Sequence, residues 1–167
     1  MKYLYLPGYS PKNEREQLEN SRALAAAEVD VVKHKYRHWI NDSYVFDIDQ
    51  ELASALALIP EHEEFGIIAK SIGTFLAMKV IATRAKKIRS LLLMGVPVND
   101  LDEDELAEYR LMLPKVSHIT VLQNENDTHG SAAQVEELLK DIKHQLVVKS
   151  AEDHDYIYPQ DIVAIIK

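Results

Sequence analysis

The chain has 167 residues, with 27 Asp+Glu against 19 Lys+Arg and a formal net charge of −8. That balance argues against nucleic acid as the main partner and against adsorption to anionic membranes, both of which need a positive surface. There is no cysteine, which removes disulfide frameworks and thiolate metal sites, and the 47% hydrophobic, 28% charged composition is that of a globular protein.

A chain of this length can bury roughly 70% of its unfolded surface in one core. No repeat, low-complexity tract or Gly/Ser linker divides it, so residues 1–167 read as a single domain. The first apolar stretch stops at Pro7-Gly8, too short for a signal peptide, and no apolar run approaches the ~18 residues of a membrane span. A cytoplasmic location is expected.

Strand-like and helix-like segments alternate. Lys2 to Leu6 is predicted as a strand, Asn13 to Ala27 as a helix with Leu18, Ser21 and Ala25 on its small face, and Val29 to Lys35 as a strand. Asp47 to Ile59 carries Ile48, Leu52, Ala55, Leu56 and Ile59 at helical spacing, with Asp47 as N-cap. Phe65 to Lys70 is an apolar strand that passes, over Ser71-Ile72-Gly73, into a helix apolar nearly all round. Ile88 to Met94 is the fourth strand, followed by an acidic helix over roughly Leu101 to Leu113. Ser117 to Gln123 is the fifth strand. Ser131 to Lys143 is a helix opened by a Ser131/Gln134 capping box. Gln145 to Lys149 is the sixth strand and Pro159 to Lys167 a closing helix. Strands alternating with helices imply an α/β fold with a six-stranded, mostly parallel sheet and helices on both faces. Ligands then sit at the carboxyl ends of the strands.

Three residues fall at that edge. Ser71 follows the third strand, Asp127 lies in the loop after the fifth, and His154 in the loop after the sixth. A serine hydroxyl needs a base to attack at neutral pH, and the base needs a carboxylate to fix its tautomer. Singly, each has a simpler reading: Ser71 as an N-cap, Asp127 as a cap or turn residue, His154 as a solvated loop histidine. The pattern lies in the three together. No His/Asp/Glu cluster has metal-ligand spacing, so neither metal nor cofactor is expected. His34, His38 and His62 read as surface residues, His129 lies one strand early for a base, and Lys70, pointing away from the Ser71 side, has no role.

The stretch Ala69-Lys70-Ser71-Ile72-Gly73 resembles the nucleophile elbow of the α/β-hydrolase superfamily, with Ala69 in place of the first glycine. The resemblance covers nearly the whole chain in strand–helix order, with the family's first two strands missing, and implies a local sheet order 2-1-3-4-5-6. It implies Asp127 rather than Glu125 as the acid. Tyr5-Leu6-Pro7-Gly8-Tyr9-Ser10-Pro11-Lys12-Asn13 resembles the family's oxyanion loop with Pro7 in the His position, which implies an oxyanion hole from the backbone N–H groups of Tyr9 and Ile72.

What the resemblance implies is a small, nearly lidless serine hydrolase, carboxylesterase-like, with Ser71 as nucleophile, His154 as base and Asp127 orienting it. The competing expectation is a non-catalytic binding or regulatory module on the same scaffold. A nucleotide-binding flavodoxin-like domain is disfavoured, because Pro7-Gly8-Tyr9-Ser10-Pro11 offers too few free N–H groups for phosphates. The acidic run Asp100 to Glu105 reads as a solvated helix face or a small flap. With no room for a cap, and with the Asp and Glu residues of that segment repelling anionic substrates, a short, neutral acyl ester is the expected small-molecule partner. Activity should rise through roughly pH 6 to 7.5 as a histidine base loses its proton, with the midpoint moved up if Asp153 and Asp155 crowd His154.

Overall fold

The computed structural model describes residues 1–167. Six strands, β1 (Lys2–Leu6), β2 (Asp30–Lys33), β3 (Phe65–Lys70), β4 (Ile88–Met94), β5 (Ile119–Asn124) and β6 (Gln145–Lys149), form one sheet in the order β2-β1-β3-β4-β5-β6. Every neighbouring pair is parallel, so no antiparallel strand breaks the sheet. The order is that implied by the resemblance. Central β3 is buried along its whole length, whereas edge strands β2 and β6 have no fully buried residue, as a sheet covered on both faces but open at its edges requires.

Side-chain alternation sorts the core into two layers. Leu4, Leu6, Ile67, Ala69, Leu91, Leu93 and Val121 face one side. There they meet helices α3 (Ile48–Leu56), α4 (Ile72–Arg84), α5 (Glu103–Met112) and α6 (Ala132–Leu139). Tyr3, Tyr5, Ile68, Leu92, Met94 and Leu122 face the other, against α1 (Asn13–Ala26) and α7 (Pro159–Ile166). A one-turn helix, α2 (Arg37–Ile40), follows β2; its four residues are too few to leave a periodic signal.

Helix α1 departs from the sequence expectation. Its buried face is Glu16, Gln17, Asn20, Ser21 and Leu24, and Ala25 is exposed. Polar side chains can be buried there because each of the first three has a partner. The Gln17 amide donates to the carbonyls of Tyr5 and His34, that of Asn20 to the Tyr5 hydroxyl and the Tyr156 carbonyl, and Glu16 accepts from the Tyr156 N–H. His34 is also no surface residue: it is buried against Glu51 at 2.8 Å, and Glu51 in turn accepts from the Arg37 N–H. Burial lowers the His34 pKa against the pull of Glu51.

The acidic segment is a fixed helix. Asp102 and Glu105 form a capping box at the start of α5, and Tyr109 is fully buried with its hydroxyl 2.6 Å from Thr74 Oγ1 on α4. Glu108 pairs with Lys79 of α4. The chain thus keeps its acidic face in solvent while Tyr109 and Met112 hold α5 to the body of the molecule.

Candidate active site

Ser71 joins β3 to α4 in a backbone conformation with φ 54° and ψ −125°. A non-glycine residue rarely adopts positive φ, and one that does is held by its surroundings. Two contacts hold this one. The Ser71 N–H donates to the Met94 carbonyl at 3.0 Å, extending the β3–β4 ladder by one residue. Two residues on, Gly73 lies so close to β1 that a Cβ would stand 2.3 Å from the Leu6 carbonyl oxygen and 2.6 Å from that of Pro7. The Ser71 side chain makes no N-cap hydrogen bond. Instead its hydroxyl lies 2.9 Å from His154 Nε2.

The histidine and the aspartate come from the loops after β6 and β5. His154 Nδ1 is 2.6 Å from Asp127 Oδ2. An ionised carboxylate only accepts, so Nδ1 carries the proton and Nε2 presents its lone pair to the serine hydroxyl. Asp127, 2% exposed, is further bonded by the Tyr156 hydroxyl at 2.7 Å and the His129 N–H at 2.9 Å. Burial opposes its ionisation, but the hydrogen bonds from His154, Tyr156 and the His129 backbone outweigh burial and hold its pKa below the usual value. Glu125 is exposed and has no contact with His154.

Two buried amides at the end of β5 fix both loops. Gln123 donates to the Gly130 carbonyl at 2.6 Å and accepts from the Val96 N–H at 2.9 Å, tying the Asp127 loop to the end of β4. Asn124 donates to the carbonyls of Asp153 and Asp155, on either side of His154. Gly95 completes the seat: at φ +59°, a Cβ there would lie 2.5 Å from the Tyr156 ring and 3.1 Å from His154 Cε1.

The loop after β1 is clamped from the other side. The Tyr36 hydroxyl donates to the Pro7 carbonyl at 2.7 Å; Trp39 Nε1 and His38 Nε2 lie 2.7 and 2.8 Å from the Tyr9 carbonyl oxygen. As donor, Nε2 carries the His38 proton, which leaves Nδ1 as the buried nitrogen without a partner. The anchored carbonyls flank the Gly8–Tyr9 peptide, and the N–H of Tyr9, like that of Ile72, has no acceptor in the chain. The close approach of Gly73 to Leu6 and Pro7 brings these two segments together.

Several contributors lay outside the sequence reading. Tyr156 is one, and its position two residues after His154 carries no signal a single sequence would reveal. His129 is another: its ring lies against that of His154, tilted by 37° with centroids 4.2 Å apart, and its Nδ1 is 2.5 Å from Asp100. Lys70 is the third. It does point to the α1 face, yet its charge is felt at His154. Burial lowers the His154 pKa, Asp127 pulls it back up, and the Lys70 and His129 charges push it down again. The net shift is downward, opposite to the expectation from Asp153 and Asp155. Asp153 is turned away, accepting from the Asp155 N–H and Asn124.

No protein-family model and no curated protein matches the chain. Solved structures do. A serine hydrolase homologue from Coxiella burnetii superposes with a TM-score of 0.74 at 16% identity, over 99% of this chain and 81% of that one. Mouse alpha/beta hydrolase domain-containing protein 10 gives 0.72 at 10% identity, over 99% and 86%. A methylesterase from Arabidopsis gives 0.70 at 16% identity, over 99% and 97%. The architecture is therefore an α/β-hydrolase fold.

Proposed function

We propose that this α/β-hydrolase-fold chain is a serine hydrolase that cleaves an ester or related acyl substrate through an acyl-enzyme. The observation that carries the reading is Ser71 at positive φ with its hydroxyl 2.9 Å from His154 Nε2, whose Nδ1 is 2.6 Å from Asp127. Three side chains 27 and 83 residues apart in sequence meet in one hydrogen-bonded line, which neither a helix cap nor a solvated loop would require.

The roles follow from the donors and acceptors. Ser71 Oγ attacks the acyl carbon as its proton passes to His154 Nε2, and the imidazolium is stabilised by the Asp127 carboxylate. The charge that develops on the carbonyl oxygen meets the free N–H groups of Tyr9 and Ile72. Loss of one such donor costs about 2.7–4 kcal/mol in the transition state. His154 then gives its proton to the leaving oxygen, the acyl–Ser71 ester forms, and a water activated by His154 releases the acid. Tyr156 and the His129 N–H keep Asp127 ionised and correctly turned throughout.

Labelling with a fluorophosphonate probe tests the reading. The wild type should be modified on Ser71 and hydrolyse 4-nitrophenyl acetate, with both lost in Ser71→Ala while the circular dichroism spectrum is unchanged. Folded wild-type protein that neither labels nor turns over would leave the scaffold as a binding module.

A further inference from the structure

Lys70, the residue before the nucleophile, is 3% exposed. Its ammonium donates to the Asn13 side-chain oxygen at 2.8 Å. No carboxylate oxygen lies within 4.0 Å of it to form an ion pair. A buried ammonium with one neutral acceptor is costly, since removal from water is compensated only by a close counter-charge. An apolar side chain such as Leu or Met would avoid that cost. Burial lowers the Lys70 pKa, and the charges of Glu16, Asp155 and Asp127 support the ammonium only from beyond ion-pair distance, which leaves a place beside it for an external anion.

The surroundings favour such an anion. Lys70 and His154 both line a cavity of about 540 Å³ between the end of β3, the start of α1 and the loop carrying His154. Lys12 and Arg15 stand at its rim. Lys12 has no ion partner, and Arg15 uses only its Nε on Glu19. A second opening shares Lys12 and Arg15 and adds Lys33 and Lys35. A molecule with net charge −8 thus brings three cationic side chains, Lys12, Arg15 and Lys70, to the cavity that His154 lines, while in the second opening Lys35 is paired with Glu14. Two carboxylates also border the cavity: Glu16, committed to the Tyr156 N–H, and the exposed Asp155. Burial raises the Glu16 pKa, and the Lys70 charge and the Tyr156 N–H draw it part of the way back down.

We propose that this cavity receives an anionic oxygen group, a carboxylate or phosphate, on the leaving-group half of the substrate, with Lys70 as its ion partner and Lys12 and Arg15 guiding its entry. The assignment rests on the hydrolase reading for the position of the ester. His154 protonates the departing oxygen, so the cavity it lines lies on the leaving side. The substrate class becomes an anionic ester, in place of the neutral one that the acidic segment suggested; that segment belongs to α5, which packs on α4 across the sheet from Lys70 and α1.

The test compares 4-acetoxybenzoate and 4-acetoxyphenyl phosphate with the neutral methyl 4-acetoxybenzoate, which share the acetyl group. The wild type should prefer at least one anionic ester by about tenfold or more in kcat/KM, the scale of one charge-assisted contact, and the better of the two identifies the group. In Lys70→Met the ratio should fall to within about twofold. The surface pair Lys12→Ser with Arg15→Ser, which has no buried group to lose, should reduce the ratio partly and abolish its dependence on salt. Equal rates on all three esters in the wild type, or a ratio unmoved by both variants, would overturn the proposal. Calorimetry with 4-hydroxybenzoate separates the two readings. Binding that disappears in Lys70→Met, in a protein that fails to label with fluorophosphonate, would keep the anion site and reject the hydrolase. Labelling without binding or preference would do the reverse.

Discussion

Ser71→Ala and Ser71→Gly delete the same hydroxyl but treat the backbone differently. At φ 54° and ψ −125°, a residue with a Cβ carries about 1–3 kcal/mol of conformational strain. Alanine retains that strain and glycine removes it. Against this, glycine loses about 0.5–1 kcal/mol more than alanine on being ordered from the unfolded chain. The difference leaves the glycine variant more stable by about 1 kcal/mol. For a chain of this size that is about 2–4 °C in Tm. Thermal melts of both variants, checked by urea midpoints, read it directly, and neither variant should label or hydrolyse ester. A glycine variant melting below the alanine variant would mean that the elbow is not strained at Ser71, and that the Met94 and Gly73 contacts do not hold it as described.

Tyr156→Phe removes a hydrogen bond to the buried Asp127 carboxylate and strands the Asn124 N–H, which donates to the same hydroxyl at 3.0 Å. It should lower stability by about 2–4 kcal/mol and kcat/KM by about 10–100-fold, the scale of a misplaced catalytic group; unchanged urea midpoints and rates would contradict the role. Because burial and the Lys70 charge keep His154 below the usual histidine value, its neutral form persists to lower pH. Activity should therefore be full at pH 7 and fall with a midpoint under 6.5, which Lys70→Met moves upward; a wild-type midpoint above 7 would refute this. The same shift has a sign for stability: the unfolded chain takes a proton on His154 near 6.5 that the folded chain resists. The His154 contribution is thus lost as pH falls below 6.5, and that of Asp127 as pH falls from 3.8 through its lower folded value, which acid titration of Tm would detect. Gly95→Ala should cost more than about 2 kcal/mol and most of the activity, since its Cβ would meet Tyr156 and His154 at positive φ; a fully active variant would show that the seat tolerates displacement.

The strands that carry the site were legible because burial on both faces writes continuous apolar runs: Phe65 to Lys70 and Ile88 to Met94 match β3 and β4 to the residue. Helix ends were harder. The predicted segments Asp47–Ile59 and Ser131–Lys143 stop at Leu56 and Leu139, because a single turn of tighter backbone ends each helix while apolar residues still continue. Within the site, sequence order alone brought Ser71, Asp127 and His154 to one edge, since a parallel sheet puts every such loop there. What it could not reveal were contacts made across the sheet. Tyr156, His129 and Lys70 acquire their neighbours from the twist of the sheet and from the path of two loops, and nothing in local spacing records either. The burial of His34 is similar in kind. A histidine at a strand end looks solvated until Glu51, on α3, is folded against it.

The polar face of α1 follows from the same requirement. A loop cannot be held by apolar packing alone when it must present an imidazole at hydrogen-bond distance from a hydroxyl; its backbone needs directional anchors. Residue 156 has them on both its peptide groups: the N–H donates to Glu16 and the carbonyl accepts from Asn20, while its side chain reaches Asp127. Leucines at positions 16 and 20 would bury more apolar surface between α1 and α7 and would leave the Tyr156 peptide groups without partners. Helix α1 therefore gives up a uniformly apolar face to fix the His154 loop. Through the shared neighbourhood of Glu16, Asn13 and Lys70, the same choice sets a buried cation beside Ser71.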